Sequence, residues 1–155
     1  MVFRLDFKPT WILFNLSKIT LRKPVMKNIC VCAAVIARGD LVLVTTRPPG
    51  QEMSGRWEFP GGKIEPGESP SECLKREIKE ELDLDILVFD TMFITEYEYP
   101  GKIVHIRFMR CNASQEGHEP VPQEGQQWAW IKRNSLPEID LLPADRPFAA
   151  FLANI

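Results

Sequence analysis

The chain has 155 residues, of which 26% are charged and 45% are hydrophobic, and its net charge at neutral pH is -2. These values are typical of one globular domain with a proper core, and they exclude a broad basic surface. We therefore expect no nucleic-acid polymer among its partners.

The first 25 residues contain one apolar run, Trp11 to Leu16, which basic residues follow closely. The run is too short to span a membrane, and it lacks the small-residue cleavage site of a secretory signal. We predict neither a membrane segment nor an export signal. Residues 1–25 are interpreted as an appendage of unclear role before one domain at residues 26–155.

Two apolar, β-branched segments open the domain. Asn28 to Ala37 and Leu41 to Thr46 flank the turn-forming Arg38-Gly39-Asp40, which predicts a β-hairpin. Cys30 and Cys32 lie two residues apart in the first segment, so we expect them to share a buried face. The four cysteines lack the spacing of a zinc site and indicate reduced thiols in a cytoplasmic protein.

A glycine-rich segment and a helix follow. Trp57-Glu58-Phe59 ends at Pro60-Gly61-Gly62, where we expect a loop to begin. Ser69 as N-cap, with Pro70 at the first helical position, predicts a helix to about Leu82. Its apolar residues recur at three- and four-residue spacing and predict a core-facing stripe. They are Cys73, Leu74, Ile78 and Leu82.

The second half of the chain alternates strands and polar segments. The predicted strands are Ile86 to Tyr97, Ile103 to Cys111 and Trp128 to Ile131, and Pro100-Gly101 joins the first two as a hairpin. The polar stretch from Asn112 to Gln127 predicts a long loop. Arg146 to Ala153 predicts a terminal helix with Asp145 as its N-cap. Strands interspersed with two helices imply a mixed sheet covered on its faces.

The strongest motif lies between Gly62 and Leu84. From Gly62 the chain has a glycine, five residues, Glu68, seven residues, and then Arg76-Glu77-Ile78-Lys79-Glu80-Glu81. Six fixed positions of this kind match by chance on the order of once in ten million placements. The pattern resembles the Nudix box and departs from it only at Asp83, where the family has glycine. Aspartate tolerates a left-handed backbone, so the departure concerns turn geometry and not chemistry.

The acidic residues of the motif predict a metal site. Glu77, Glu80 and Glu81 are spaced i, i+3 and i+4, so we expect their carboxylates together on one helix face. Such oxygen ligands suit Mg²⁺, with Mn²⁺ as a substitute. The alternative is a solvated face paired with lysine and arginine, which the complete box argues against. The resemblance also implies the backbone carbonyl of Gly61 as a ligand.

The resemblance implies roles for further charged residues. Arg76 would orient a box carboxylate, Glu68 or Glu77, through bidentate pairing. Glu124 would be an additional metal ligand or the general base, and Glu77 and Glu81 are the other candidates for that base. An ordinary exposed glutamate is the alternative interpretation of Glu124.

Outside the box, the chain is similar to MutT-type hydrolases of oxidised guanine nucleotides from about Asn28 to Leu152, most closely at Trp57 to Glu65. This similarity implies substrate-binding roles for Arg47, Glu58, Phe59, Lys63 and Asp145. The alternatives are surface charges at Arg47 and Lys63, a core position for Phe59 and a helix cap for Asp145. Asp145 stands where the bacterial MutT pattern has asparagine, so the preferred base stays open.

These resemblances imply the Nudix fold, an α/β/α sandwich with a mixed central β-sheet. They also imply a Mg²⁺-dependent hydrolase that releases a nucleoside monophosphate and pyrophosphate from a nucleoside triphosphate. The first predicted substrate is 8-oxo-dGTP, in sanitisation of the nucleotide pool, and a cytidine or modified cytidine triphosphate is the second. A non-catalytic nucleotide sensor or lesion-recognition domain would predict a degraded box, which this sequence does not have.

Overall fold

The computed structural model describes residues 25–155, so almost all of the predicted appendage at residues 1–25 lies outside the described residues. Seven strands form one mixed sheet. They are β1 (Lys27–Arg38), β2 (Leu41–Thr46), β3 (Trp57–Glu58), β4 (Gly61–Lys63), β5 (Ile86–Tyr99), β6 (Lys102–Ala113) and β7 (Trp128–Lys132). The α-helices are α1 (Pro70–Leu82) and α2 (Arg146–Leu152), and a 3₁₀ helix spans Arg133–Glu138.

Strand β1 organises the sheet, whose order is β3-β2-β1-β6-β5. It runs parallel to β6 from the pair Lys27 and Lys102 to the pair Ile36 and Cys111. At its end β1 turns into β2 through the predicted hairpin, which is confirmed by the pairing of Ala37 with Val42. Strand β5 pairs antiparallel with β6, and β7 pairs antiparallel with β2. The predicted mixed sheet is therefore confirmed.

The two helices cover opposite faces of this sheet. Successive strand residues point to opposite faces, and the alternation is visible along β1. Cys32, Ala34 and Ile36 pack in the cluster beneath α1, whereas Ala33 and Val35 pack in the cluster beneath α2. The predicted apolar stripe of α1 is buried as expected. This arrangement is the expected α/β/α sandwich.

Two local predictions were wrong. Gly61 and Gly62 do not begin a loop, because β4 pairs there with β1. A Cβ atom on Gly61 would lie 2.0 Å from the carbonyl oxygen of Cys32, so glycine permits this close strand approach. Cys30 is exposed although Cys32 is fully buried, because the cluster beneath α1 begins at Cys32. No helix within residues 25–155 is long and apolar enough to cross a membrane.

The ends of α1 have the predicted chemistry. The Ser69 hydroxyl accepts a hydrogen bond from the backbone N–H of Glu72 at 3.2 Å, and the Glu72 carboxylate accepts one from the N–H of Ser69 at 2.8 Å. This reciprocal capping box fixes the start of the helix. At the other end Asp83 has φ 50°, and its N–H donates to the Lys79 carbonyl. The left-handed conformation expected at Asp83 is confirmed.

Substitutions at Asp83 separate backbone strain from chemistry. Both Asp83→Gly and Asp83→Ala remove the ion pair with Lys79 at 2.8 Å, so only the backbone preference differs between them. We expect Asp83→Ala to have a free energy of unfolding about 1 kcal/mol below that of Asp83→Gly. Urea denaturation measures this difference. Turnover is expected to stay at the wild-type level in both variants, and a large loss of turnover would contradict the structural role.

Candidate active site

A cleft of about 710 Å³ opens between the central strands, the start of α2 and the helix α1. This volume lies in the range of small-molecule sites. Its lining contains most of the predicted site residues, namely Arg47, Glu58, Phe59, Gly61, Lys63, Glu77, Glu81 and Asp145. Arg76, Glu80 and Glu124 lie outside this lining. The structure therefore brings together residues that the sequence separates by up to a hundred positions.

Arg76 joins the box loop to the helix. Its Nε and Nη2 atoms donate to the two carboxylate oxygens of Glu68 at 2.7 and 2.9 Å, and its Nη1 donates to Glu77 at 2.7 Å. The hydrogen bond from Arg76, and then one from the backbone of Glu65, lowers the pKa of Glu68 to about 2. Arg76 therefore pairs with both carboxylates that the sequence offered as alternatives, Glu68 and Glu77. Arg76 orients the Glu77 carboxylate and leaves its second oxygen for other partners.

The Glu77 carboxylate lies directly against the backbone of β4. A Cβ atom on Gly62 would be 2.2 Å from the Glu77 carboxyl carbon and within 2.5 Å of both its oxygens. A side chain at position 62 would therefore occupy the place of this carboxylate. The glycine of the box is explained by space for a functional group, not by backbone conformation.

Glu81 has the most strongly shifted pKa among the acidic residues of α1. Burial raises its pKa to about 8, and the charges of Glu77, Glu124 and Glu58 add to that effect while Arg47 opposes it. Glu77 and Glu81 therefore line the cleft together, and the charges of Glu124 and Glu58 are near enough to act on Glu81. Clustered oxygen donors with an excess of negative charge fit a hard divalent cation such as Mg²⁺.

Glu80 is the most exposed of the three helix carboxylates. Glu77 and Glu81 line the cleft, whereas the Glu80 side chain is 61% exposed. Glu80 still lies near Glu77, because both accept a hydrogen bond from Nη1 of Arg76, at 3.4 and 2.7 Å. Across the part of the chain that the structure describes, no three His, Cys, Asp or Glu side chains form a ready-made metal cluster. That the three helix carboxylates share one metal site stays a prediction.

The long loop brings Glu124 beside the end of α1. Backbone N–H groups of Val121 and Gln123 donate to the carbonyls of Leu82 and Glu81 at 2.8 and 2.9 Å. These carbonyls belong to the last turn of the helix, which has no partners of its own for them. Glu124 itself is exposed. The buried side chain of Gln126 was not predicted, because a glutamine in a polar loop has no sequence signal for burial.

The other end of the cleft is built around Arg47. Its Nη1 donates to Glu58 at 2.9 Å and its Nε donates to the carbonyl of Glu52 at 2.9 Å. Burial raises the pKa of Glu58 even though Arg47 lowers it. Tyr99, which was not predicted either, lines this end and accepts a hydrogen bond from the N–H of Ala144. Polar groups thus surround this end of the cleft.

Asp145 is almost fully enclosed at this end of the cleft, with 4% of its surface exposed. Burial, and then the charge of Glu58, raises its pKa well above the ordinary aspartate value, while the backbone N–H of Phe59 lowers it. Asp145 is the N-cap residue of α2 as predicted, and its carbonyl accepts the backbone hydrogen bond of Ala149 at 3.0 Å. Its side chain makes no capping hydrogen bond, because it faces the cleft instead.

Phe59 lies both in the hydrophobic core and at the cleft, the two positions between which the sequence did not decide. Its ring is 4% exposed and makes edge contacts with Phe108 and Phe148 at centroid distances of 5.5 and 5.1 Å. It also belongs to the cleft lining. Most of the ring therefore fills the core, and only its edge reaches the cleft.

The buried carboxyl of Asp145 predicts a pH-dependent stability. A carboxyl with a raised pKa in the folded state binds protons more tightly there, so its contribution to stability falls as the pH rises above about 4. Asparagine keeps an acceptor for the Phe59 N–H and cannot ionise. We expect Asp145→Asn to gain stability over the wild type progressively as the pH rises above about 4. Urea denaturation across this range measures the gain, and a constant difference would contradict it.

Three comparisons with known proteins agree with this geometry. The NUDIX domain profile matches residues 26–152. A CTP pyrophosphohydrolase of Escherichia coli is 34% identical over 132 residues, which are 83% of this chain and 94% of that protein. An 8-oxo-dGTP diphosphatase of Haemophilus influenzae is 34% identical over 83% of this chain and 94% of its own length. The solution structure of MutT from Staphylococcus aureus superposes with a TM-score of 0.66 at 32% identity, covering 83% of this chain and 98% of that one.

Proposed function

The chain belongs to the NUDIX domain family and is a MutT-type hydrolase, and we propose that it converts 8-oxo-dGTP to 8-oxo-dGMP and pyrophosphate. We propose that its catalytic domain spans residues 26–155. We also propose that it acts in the cytoplasm, which contains the nucleotide pool. The four free cysteines are consistent with such a reducing compartment. The observation that carries the proposal is a cleft that has a carboxylate end at α1 and a buried polar end at Asp145.

Nudix hydrolases generally depend on a divalent metal ion. We propose Mg²⁺, held by the carboxylates of Glu77 and Glu81 with Glu80, Glu124 and the Gly61 carbonyl as further ligands. The oxygen-only donor set and the accumulated negative charge around Glu81 support this choice. When bound, such a cation neutralises phosphate charge and lowers the pKa of water.

The residues of the cleft have separate roles in the proposed hydrolysis. A water oxygen forms the new bond to phosphorus, the bond from phosphorus to the pyrophosphate oxygen breaks, and a glutamate takes the proton of the water. Glu77, Glu81 and Glu124 remain the candidates for that base. Arg47 and Lys63 are proposed to contact the phosphates or the base edge.

Asp145 is the residue proposed to bind the base edge. Burial raises its pKa and so favours the protonated carboxyl, which both donates and accepts a hydrogen bond, whereas an ionised carboxylate only accepts. Guanine presents N–H donors beside a carbonyl acceptor, and cytosine presents its amino donor beside the N3 acceptor, so the protonated form fits either base. The similarity to an 8-oxo-dGTP diphosphatase favours the oxidised guanine. A CTP or modified-dCTP pyrophosphohydrolase is the second candidate, which the Escherichia coli relative favours.

A panel of nucleoside triphosphates with Mg²⁺ tests the proposal. We expect kcat/KM for 8-oxo-dGTP to exceed that for dGTP and CTP by about 100-fold or more, since a site built to hydrogen-bond a base discriminates strongly. The products should be a nucleoside monophosphate and pyrophosphate. Preference for CTP or a modified dCTP would select the second candidate. Absence of Mg²⁺-dependent pyrophosphate release across the panel would overturn both and point to a non-catalytic nucleotide sensor.

A further inference from the structure

Gln126 is one of the few buried polar residues within residues 25–155, with 6% of its surface exposed. It stands between the loop that bears Glu124 and the start of β7. The backbone of the next residue, Gln127, is held by Thr46: its carbonyl accepts from the Thr46 N–H at 2.8 Å, and its N–H donates to the Thr46 hydroxyl at 2.9 Å. The side chain of Gln126 is therefore held at a fixed position at the wall of the cleft.

Both polar groups of the Gln126 side-chain amide form hydrogen bonds. The Oε1 atom accepts a hydrogen bond from the backbone N–H of Glu124 at 2.8 Å. The Nε2 atom donates to the backbone carbonyl of Glu81 at 3.1 Å. Only one orientation of the amide serves both partners, because one is a donor and the other an acceptor. Glutamine thus bridges two candidate catalytic glutamates that lie on different elements.

The bridge acts on the end of the helix that carries the acidic residues. The Glu81 carbonyl also accepts from the N–H of Gln123, so the loop closes on this carbonyl from two sides. Since Glu124 is itself exposed, its own side chain does not anchor it. The bond from its N–H to Gln126 is a contact of Glu124 itself, and with the neighbouring bond of Gln123 it limits where the Glu124 backbone lies.

We propose that Gln126 is a positioning residue: its amide holds the backbone of Glu124 against the last turn of α1, so that the Glu124 carboxylate serves the same end of the cleft as Glu81. The inference rests on the proposed hydrolase function of this cleft. Gln126 acts on the reaction through Glu124 and not through the substrate. This separates it from a residue that merely lines the cleft.

The test is a double-mutant cycle between Gln126→Leu and Glu124→Gln. Leucine keeps the buried bulk and removes both hydrogen bonds. We expect Gln126→Leu to lower kcat by about 10- to 100-fold, the range for residues that orient a metal ligand, with little change in KM. In the Glu124→Gln background the same substitution should cost almost nothing further. Gln127→Leu, at the exposed neighbouring glutamine, is the matched control and should leave kcat unchanged.

A second measurement needs no substrate. Mn²⁺ affinity of the protein alone, measured by electron paramagnetic resonance, should fall in Gln126→Leu by a similar factor as in Glu124→Gln, and no further in the double variant. Thermal unfolding identifies the folded variants. If Gln126→Leu does not fold, Gln126→Met replaces it in the cycle, because methionine has nearly the length of glutamine, adapts to the available space and makes neither hydrogen bond.

The outcomes separate the two proposals. Additive losses of kcat and of Mn²⁺ affinity, or unchanged values in the folded Gln126 variant, would overturn the positioning role. If the wild-type protein hydrolyses no nucleoside triphosphate, the proposed function fails, and the Mn²⁺ cycle alone decides whether Gln126 positions Glu124. A loss in Gln126→Leu that vanishes in the Glu124→Gln background supports the inference in either measurement.

Discussion

Replacing Glu81 by glutamine is expected to lower kcat by about 10²- to 10⁴-fold, the range for loss of a general acid–base group. Glu81 lines the cleft, and burial together with the neighbouring carboxylates raises its pKa to about 8. Glutamine keeps the shape of the side chain but neither takes a proton nor carries the charge that a divalent cation needs. We expect a loss of similar size for Glu77→Gln, whose carboxylate Arg76 orients at 2.7 Å.

Steady-state kinetics with saturating nucleotide and Mg²⁺ measure both losses. Folding should be retained, because Arg76 keeps its bidentate partner Glu68 in Glu77→Gln and glutamine removes a costly buried acid in Glu81→Gln. Glu116→Gln is the control, since Glu116 is an exposed glutamate outside the cleft lining. Turnover near the wild-type value in a folded Glu77→Gln or Glu81→Gln variant would refute the assigned roles.

Adding one methyl group at Gly62 is expected to lower kcat nearly as much as Glu77→Gln or Glu81→Gln does. The new Cβ atom would lie 2.2 Å from the Glu77 carboxyl carbon, so the carboxylate must move away from Arg76 and from its place in the cleft. Displacement of a catalytic group by about 1 Å can cost about 100-fold in rate. We therefore expect Gly62→Ala to lower kcat by about 100-fold while the fold survives, because the clash is with the movable end of a side chain.

Gly61→Ala is the contrasting variant. Its Cβ atom would meet backbone, 2.0 Å from the Cys32 carbonyl oxygen and 2.9 Å from the Ala33 Cα, at a φ of 154°. The strands would have to separate, so we expect loss of stability as well as of turnover. In the Glu77→Gln background, Gly62→Ala should have little further effect, since both changes act on the same carboxylate. A folded Gly62→Ala variant with normal kcat would show that Glu77 functions elsewhere.

Local features of the site could be predicted because they depend on residues near one another in the chain. The i and i+4 spacing places Glu77 and Glu81 on one helix face, and Ser69, Pro70 and Asp83 set the ends of that helix through local hydrogen bonds and backbone preferences. The same spacing did not predict the outward position of Glu80. Its orientation depends on Arg76, which also pairs with Glu68 across the box loop.

The remaining parts of the site depend on the path of the whole chain. Gln126 meets Glu81 across 45 positions, and Asp145 enters the cleft because α2 packs on the face of the sheet opposite α1. The sequence by itself determined the acidic helix, its capping and the hydrolase family, since local spacing and side-chain chemistry suffice for these. Only the tertiary structure decided which carboxylates face the cleft, why Gly62 lacks a side chain and that the Asp145 side chain is buried without capping α2. Burial and distant pairing follow from how separate elements pack, which no local pattern encodes.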